Sequence, residues 1–339
     1  MADAKGDLLQ WTPAGLYCAA GDFHIDPARK VERAVITHAH SDHARTGSSA
    51  YLCAEPGRDL LAARVGASAR IETLPYGREL RIGAVRLSLH PAGHILGSAQ
   101  VRVAGADGVW VVTGDYNANH ANPTCAPFAA LRCDVLVTES TFALPVYRWP
   151  DPAEVFAAIN AWWQRNQTLG LTSVLPAYPL GKTQRLLAGI DPSIGPIAVH
   201  GGARPLLDLY AAAGVDLPPT LPLTADSVRA LRGRGLLIHS SMAAEPAAFA
   251  ALGPCAHGQA SGWMLPRAAR RRPGAGAGFV LSDHSDWDGL LQTVRSSGAA
   301  RILVQHGAAA CFARHLCEQG LAAAVLTEPP AANGGTQSC

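Results

Sequence analysis

The sequence predicts an α/β protein of about two domains, and three observations carry that expectation. The chain has 339 residues, against a prior of roughly 150 per domain. Its first 140 or so residues read as short β-branched runs separated by turns, and from residue 152 onward helix-like and strand-like segments alternate. Hydrophobic residues make up 48% and charged residues 16%, the balance of a chain that buries a core and not of a disordered one.

The elements follow in chain order. Residues 34–37, 85–89, 99–103, 109–113 and 135–138 are apolar, β-branched and mostly bounded by Gly, Pro, Asn or Asp, so strands are expected there. Residues 59–65 look helical. Asp151 followed by Pro152 reads as an N-cap with proline in the first turn, which predicts a helix over 152–165. Segments 173–175, 183–188, 197–200, 204–213, 227–232 and 236–239 continue the α/β rhythm. A basic, glycine-rich stretch over 266–278 precedes a strand at 279–282, a helix near 287–296 and a strand at 301–305. The tail over 329–339 is expected to be disordered. With 34 Gly and 24 Pro, against a usual share of roughly 12% for the two together, many tight turns are expected.

Composition also excludes several classes. The net charge is +2, so any grip on nucleic acid must come from local patches. No apolar run approaches the ~18–20 residues needed to span a bilayer. Asp3, Lys5 and Asp7 stand where a signal peptide would be apolar, which predicts a soluble, cytoplasmic protein without a membrane partner. The eight cysteines include no Cys-x-x-Cys pair and read as reduced, largely buried thiols.

The strongest chemical signal is Thr37-His38-Ala39-His40-Ser41-Asp42-His43, four metal-ligand side chains within six residues at the end of an expected strand. Imidazole nitrogens and carboxylate oxygens are what zinc and its neighbours accept. One segment cannot close two sites, so further ligands are expected at other strand ends. His94 lies between Gly93 and Gly97, Asp115 follows Gly114, and His306 precedes Gly307.

These motifs resemble the metallo-β-lactamase superfamily, and within it the β-CASP nucleases. Asp26 in Ile25-Asp26-Pro27 matches a first motif, the histidine run a second, His94 a third and Asp115 a fourth. Thr138-Glu139-Ser140-Thr141, Ser282-Asp283-His284-Ser285-Asp286 and Val304-Gln305-His306-Gly307 resemble motifs A, B and C, and Leu180-Gly181-Lys182-Thr183-Gln184 resembles an element of the inserted domain. Gly21 to Pro27 and Ser261-Gly262-Trp263-Met264, with arginines after it, look most like bacterial ligase-associated DNA exonucleases.

The resemblance implies an αββα sandwich from residues 1–148 and 277–328, an inserted β-CASP cap over 149–276, and an active site in the cleft between them. His38, His40 and His94 would hold one divalent ion, Asp42, His43 and His306 a second, and Asp115 would bridge them. Zinc fits the donors best and manganese accepts the same set. Such a pair activates a hydroxide for attack on a phosphodiester. Asp26 would orient the histidine loop through hydrogen bonds, the alternative being a plain turn former before Pro27. His284 would serve the leaving oxygen or bind a phosphate oxygen, with Glu139, Asp283 or Asp286 as its partner; the alternative for Glu139 is a plain ion pair or helix-cap residue.

Arg267, Arg270, Arg271 and Arg272 are candidate phosphate readers, or a solvated linker face. Ser261, Gly262 and Lys182 are further substrate-binding candidates. Trp263 and Trp287 could stack on bases or pack in the core. Gly181-Lys182-Thr183 is not a P-loop, and His200-Gly201-Gly202 lacks a nucleophile elbow. His24, His90, His120, His239, His257 and His315 are not read as ligands. The expected activity is a DNA exonuclease in repair, associated with a ligase and a helicase. The alternative is a β-CASP ribonuclease, favoured by the histidine in motif C. A ligand-depleted, non-catalytic binding protein is disfavoured because all seven ligand positions are filled.

Overall fold

The computed structural model describes residues 7–240, 246–266 and 276–326. Arg267, Arg270, Arg271, Arg272 and the tail over 329–339 lie outside the described residues. The fold is mixed α/β with several sheets, in two compact units. The first comprises Met1–Ala121, Cys125–Pro145 and His284–Cys339; the second comprises Asn122–Thr124 and Val146–Asp283.

The first unit begins with β1 (Gln10–Thr12), β2 (Gly15–Cys18), β3 (Phe23–Ile25), β4 (Arg33–Val35), β5 (Ala50–Ala54), α1 (Arg58–Val65) and β6 (Ile71–Leu74). These strands lie in sequence order in one sheet. A second sheet is formed by β7 (Glu79–Ile82), β8 (Val85–Pro91), β9 (Ala99–Gly105), β10 (Gly108–Val112), β11 (Val135–Glu139) and, from the far end of the unit, two strands that follow its last helices. Those helices are α7 (Trp287–Ser297) and α8 (Ala309–Glu318); the strands are β18 (Arg301–Gln305) and β19 (Ala322–Val325). The strand order is β19-β18-β11-β10-β9-β8-β7.

Side-chain alternation explains how these layers stack. One face of each sheet supplies Leu16, Phe23, Val35 and Leu52 on the first and Leu87, Leu89, Val101, Val103 and Val137 on the second to a common core. The opposite face of the first sheet packs Ala34, Tyr51 and Cys53 on Leu61 of α1. The opposite face of the second packs Val111, Leu136, Ile302 and Val304 on Trp287 and Leu290 of α7 and Phe312 and Leu316 of α8. The layers therefore run helix, sheet, sheet, helix.

The register of the second sheet positions the chemistry. β10, β11 and β18 are neighbours and parallel, with Val112 opposite Val137 and Glu139 opposite Gln305. Residues at or just past their C-terminal ends therefore share one edge: Asp115, Glu139 with Ser140, and His306.

The second unit carries α2 (Pro152–Thr168), β12 (Thr172–Pro176), α3 (Lys182–Gly189), β13 (Ile197–His200), α4 (Arg204–Ala212), β14 (Leu221–Pro222), α5 (Ala225–Leu231), β15 (Leu236–His239), α6 (Pro246–Ala251), β16 (Cys255–Ala260) and β17 (Ala277–Phe279). Its sheet is parallel throughout, in the order β14-β13-β15-β12-β16-β17. Ile159, Trp163, Leu186 and Leu207 cover one face and Val228, Leu231 and Leu252 the other. Asp151 caps α2 by accepting from the Ala153 amide at 2.9 Å. Several expected elements end elsewhere: the strand expected at 34–37 stops at Val35, α2 runs on to Thr168, and the strand expected at 279–282 stops at Phe279. Among the described residues no helix is long and apolar enough to cross a membrane.

Candidate metal centre

The histidine run leaves β4 and is held from below by Asp26. Its Oδ1 accepts from the Thr37 amide at 2.8 Å, and its Oδ2 accepts from Thr37 Oγ1 at 2.5 Å and from His43 Nδ1 at 2.7 Å. A carboxylate only accepts, so His43 Nδ1 carries a proton and Nε2 is the nitrogen turned toward the other donors. That nitrogen lies 3.4 Å from Asp115 Oδ1. Asp26 adopts φ +43°, a region that non-glycine residues enter seldom and Asp more readily than most.

His38, His40, His94 and Asp115 bring one donor atom each to within 4.8 Å of one another. His38 Nε2 is 3.0 Å from His40 Nδ1, and His94 Nε2 is 3.2 Å from the same atom. Asp115 Oδ2 is 3.6 Å from His38 Nε2 and 3.9 Å from His94 Nε2. A tetrahedral zinc with ligands at about 2.1 Å has ligand–ligand edges of about 3.4 Å. The observed spread brackets that value, so the donor set fits such an ion in both chemistry and size. The His94 loop is fixed by Ser98, whose Oγ accepts from the amides of His94 at 3.1 Å and Ile95 at 3.2 Å.

A second group shares Asp115 and adds Glu139 and His284. His284 Nδ1 is 3.0 Å from both Glu139 oxygens. Glu139 is 1% exposed, and it also accepts from the Tyr116 amide at 2.8 Å and from Thr141 Oγ1. The His284 ring stands 4.7 Å from that of His94. Asp283 and Asp286, the other candidate partners of His284, are engaged elsewhere: Asp283 by Lys182 and Arg185, and Asp286 by Asn119 and the α7 N-terminus.

The residues expected around a second ion are more open. Asp42 Oδ2 is 3.7 Å from His43 Nε2, and its side chain is 69% exposed. The His306 ring is 5.8 Å from that of His43. His306 has φ +61° and its carbonyl accepts from Ser140 Oγ.

Electrostatics separates the histidines. Burial, with the neighbouring His43 and His40, holds His38 well below the ordinary imidazole value, so it presents a neutral ligand nitrogen. At His43 burial acts in the same direction but is overcome by Asp115 and Asp26, and its pKa is raised well above the ordinary value. Burial would raise Asp115; His43, and after it His284 and His38, hold it well below the usual carboxylate range.

The remaining candidates lie in the second unit. Ser261 Oγ accepts from the Trp263 amide at 3.3 Å, and Gly262 is buried. Lys182 is buried, its Nζ donating to the Leu281 carbonyl at 2.7 Å and pairing with Asp283 Oδ2 at 3.0 Å. Arg185 Nη1 reaches Asp283 Oδ1 at 2.9 Å. The supporting roles of Thr37, Ser98, Tyr116 and Thr141 were not read from the sequence. Thr37 and Thr141 adjoin motif residues, which was the available signal; the amide of Tyr116 and the hydroxyl of Ser98 carried none.

No protein-family model matches the chain. It is similar to a probable DNA ligase of Opitutus terrae, 32% identical over 318 residues, covering 93% of this chain and 30% of that protein. It is also similar to the endoribonuclease ysh1 of Aspergillus fumigatus, 32% identical over 124 residues, 36% of this chain and 14% of that one. The chain thus spans less than a third of the length of either relative. Among solved structures, a protein of unknown function from Enterococcus faecalis superposes with a TM-score of 0.62 at 13% identity, covering 87% of this chain and 79% of that one. That likeness concerns the fold alone.

Proposed function

We propose that the chain is a metal-dependent nuclease that hydrolyses phosphodiester bonds in DNA, with a metallo-β-lactamase-type first unit and a β-CASP-type second unit. The observation that carries the reading is Asp115, which belongs both to the His38–His40–His94 donor group and to the group with Glu139 and His284. Similarity along nearly the whole chain to a probable DNA ligase supports DNA as substrate and a role in repair beside ligation. On this reading the enzyme works from strand ends, as an exonuclease.

His38, His40 and His94 would hold one divalent cation, Asp42, His43 and His306 a second, with Asp115 shared. Bound there, divalent ions supply charge neutralisation at a phosphoryl oxygen and a water acidic enough to attack near neutral pH. Asp26 keeps His43 in the tautomer that offers Nε2. Glu139 fixes His284 through Nδ1, leaving Nε2 to donate to a phosphate oxygen or to protonate the leaving oxygen. Ser261, Gly262 and the arginines at 267 and 270–272 are assigned to substrate from their donor chemistry; Lys182, buried on Asp283 and the Leu281 carbonyl, is the weaker candidate.

A ribonuclease is the second reading, favoured by the similarity to an endoribonuclease over about a third of the chain. End-labelled single-stranded DNA and RNA of identical sequence, offered with zinc or manganese beside Asp115→Ala, separate the two. DNA degraded in preference to RNA, and lost in the variant, is the expected result. RNA preferred would move the assignment to the ribonuclease, and no cleavage of either by metal-loaded protein would remove it.

A further inference from the structure

Two tryptophans near the arginine-rich stretch were open to either core packing or base stacking, and the structure separates them. Trp287 is 6% exposed and belongs to the core over α7, whereas Trp263 keeps 53% of its surface in water. Transferring an indole from water to an apolar surface is strongly favourable, and most large apolar side chains are buried for that reason.

Trp263 is also held in place. It sits on a 3₁₀ turn, Gly262–Met264, whose entry is capped by Ser261 Oγ and whose Met264 is buried. Its ring meets that of Tyr147 edge-on, at 5.8 Å and 87°. Tyr147 is 6% exposed and in turn packs against Trp149 at 5.8 Å. Between Tyr147 and Trp149 stands Arg148, exposed, and before them Val146, 56% exposed. The other exposed large hydrophobics, Leu169, Tyr178 and Leu221, have no such aromatic support recorded among the described residues. Singly exposed side chains need no explanation; an indole braced by a buried aromatic ring does.

We propose that Trp263, braced by Tyr147 and accompanied by Arg148, is a stacking platform for an unpaired base of single-stranded nucleic acid. The occupant is argued from chemistry. A strand of nucleotides alternates flat π-faces with anionic phosphates; Trp263 offers an exposed π-face, and exposed Arg148 comes next in the chain after the tyrosine that braces it. A double helix hides its base faces and could meet only the cation. The proposal rests on the nuclease reading for the identity of its ligand, but not on the metal centre for its binding.

The test measures binding of a fluorescent, phosphorothioate-linked single strand to the metal-loaded protein by anisotropy, alongside kcat and KM on the ordinary strand. Trp263→Ala is expected to weaken single-strand binding about tenfold and raise KM, with kcat little changed, while Trp263→Phe stays near the wild type. A strand with abasic sites should bind the wild type and Trp263→Ala alike, and Arg148→Gln should lower the slope of log Kd against log salt by about 0.7 for the one phosphate lost. Equal binding of wild type and Trp263→Ala, or an equal loss on duplex and single strand, would overturn the proposal. If the wild type cleaves nothing yet binds the strand through Trp263, the nuclease reading falls and the platform stands.

Discussion

Asp26 shows how one side chain can set a cluster of donors to which it does not itself belong. It accepts from Thr37 twice and from His43, and so fixes both the path of the histidine run and the tautomer of His43. Asp26→Asn keeps the size but presents an N–H where one acceptor was. Metal affinity should fall about 10–100-fold, measured by competition with a chromogenic chelator; unchanged affinity would reduce Asp26 to a turn former. His239 makes a different case. It is 4% exposed, and neither ring nitrogen has a hydrogen-bond partner among the described residues. Burial, with His257 and His200 nearby, pushes its pKa from 6.5 down to about 4. The unfolded chain therefore takes up this proton first, and stability falls as the pH drops from about 6.5 toward 4. In His239→Leu that part of the loss should vanish, so urea midpoints of wild type and variant should diverge between pH 7 and pH 5, with the wild type falling faster.

At the scale of elements, loops are placed by backbone approach as much as by side chains. Gly97, in the His94 loop, has φ +74°, and a Cβ there would lie 2.1 Å from the Cα of Gly57. Gly66, after α1, also has positive φ, +107°, but a Cβ there would meet nothing within 4 Å. Gly66→Ala should cost only the conformational strain, about 1–3 kcal/mol. Gly97→Ala must also move the Gly57 backbone, and it should cost clearly more and weaken metal binding through His94; equal melting temperatures for the two variants would refute this. In α3, Lys182 and Arg185 share the single carboxylate of Asp283, and burial lowers the Lys182 pKa despite that partner. A buried cation that loses its partner carries the desolvation penalty alone, which is why this helix depends on Asp283.

For the whole molecule, ligand binding and stability are one equilibrium. The donors of the metal group come from the histidine run, from the loop between β8 and β9 and from the end of β10. An ion bound there links segments that separate on unfolding, and it stabilises the folded state by about 2.7 kcal/mol at a hundredfold excess over its dissociation constant. Adding zinc should therefore raise the melting temperature and a chelator should reverse it, with the response reduced in Asp115→Asn. A melting temperature indifferent to metal would argue against an ion at this group.

Much of this protein could be read from its sequence, for a local reason. β-branched runs, the Asp151 cap and the spacing His38-x-His40-x-Asp42-His43 are properties of a few consecutive residues, and backbone preferences and ligand chemistry act at that range. Strands at 85–89, 99–103, 109–113 and 301–305 and the helix at 152–165 correspond to observed elements for that reason. The short strands β1, β2, β3 and β6 escaped notice because a strand of three or four residues is defined by its neighbour in the sheet, not by its own pattern. Sequence could nominate Asp115 and His306, 191 positions apart, but not join them. Parallel pairing of β10, β11 and β18 does that, because parallel register carries strands distant in the chain to a common edge. Sequence likewise could not choose between Trp263 and Trp287, or see Lys182 and Arg185 turned inward on one carboxylate. Burial belongs to the packed molecule, since which face of an element meets solvent is decided by what covers it.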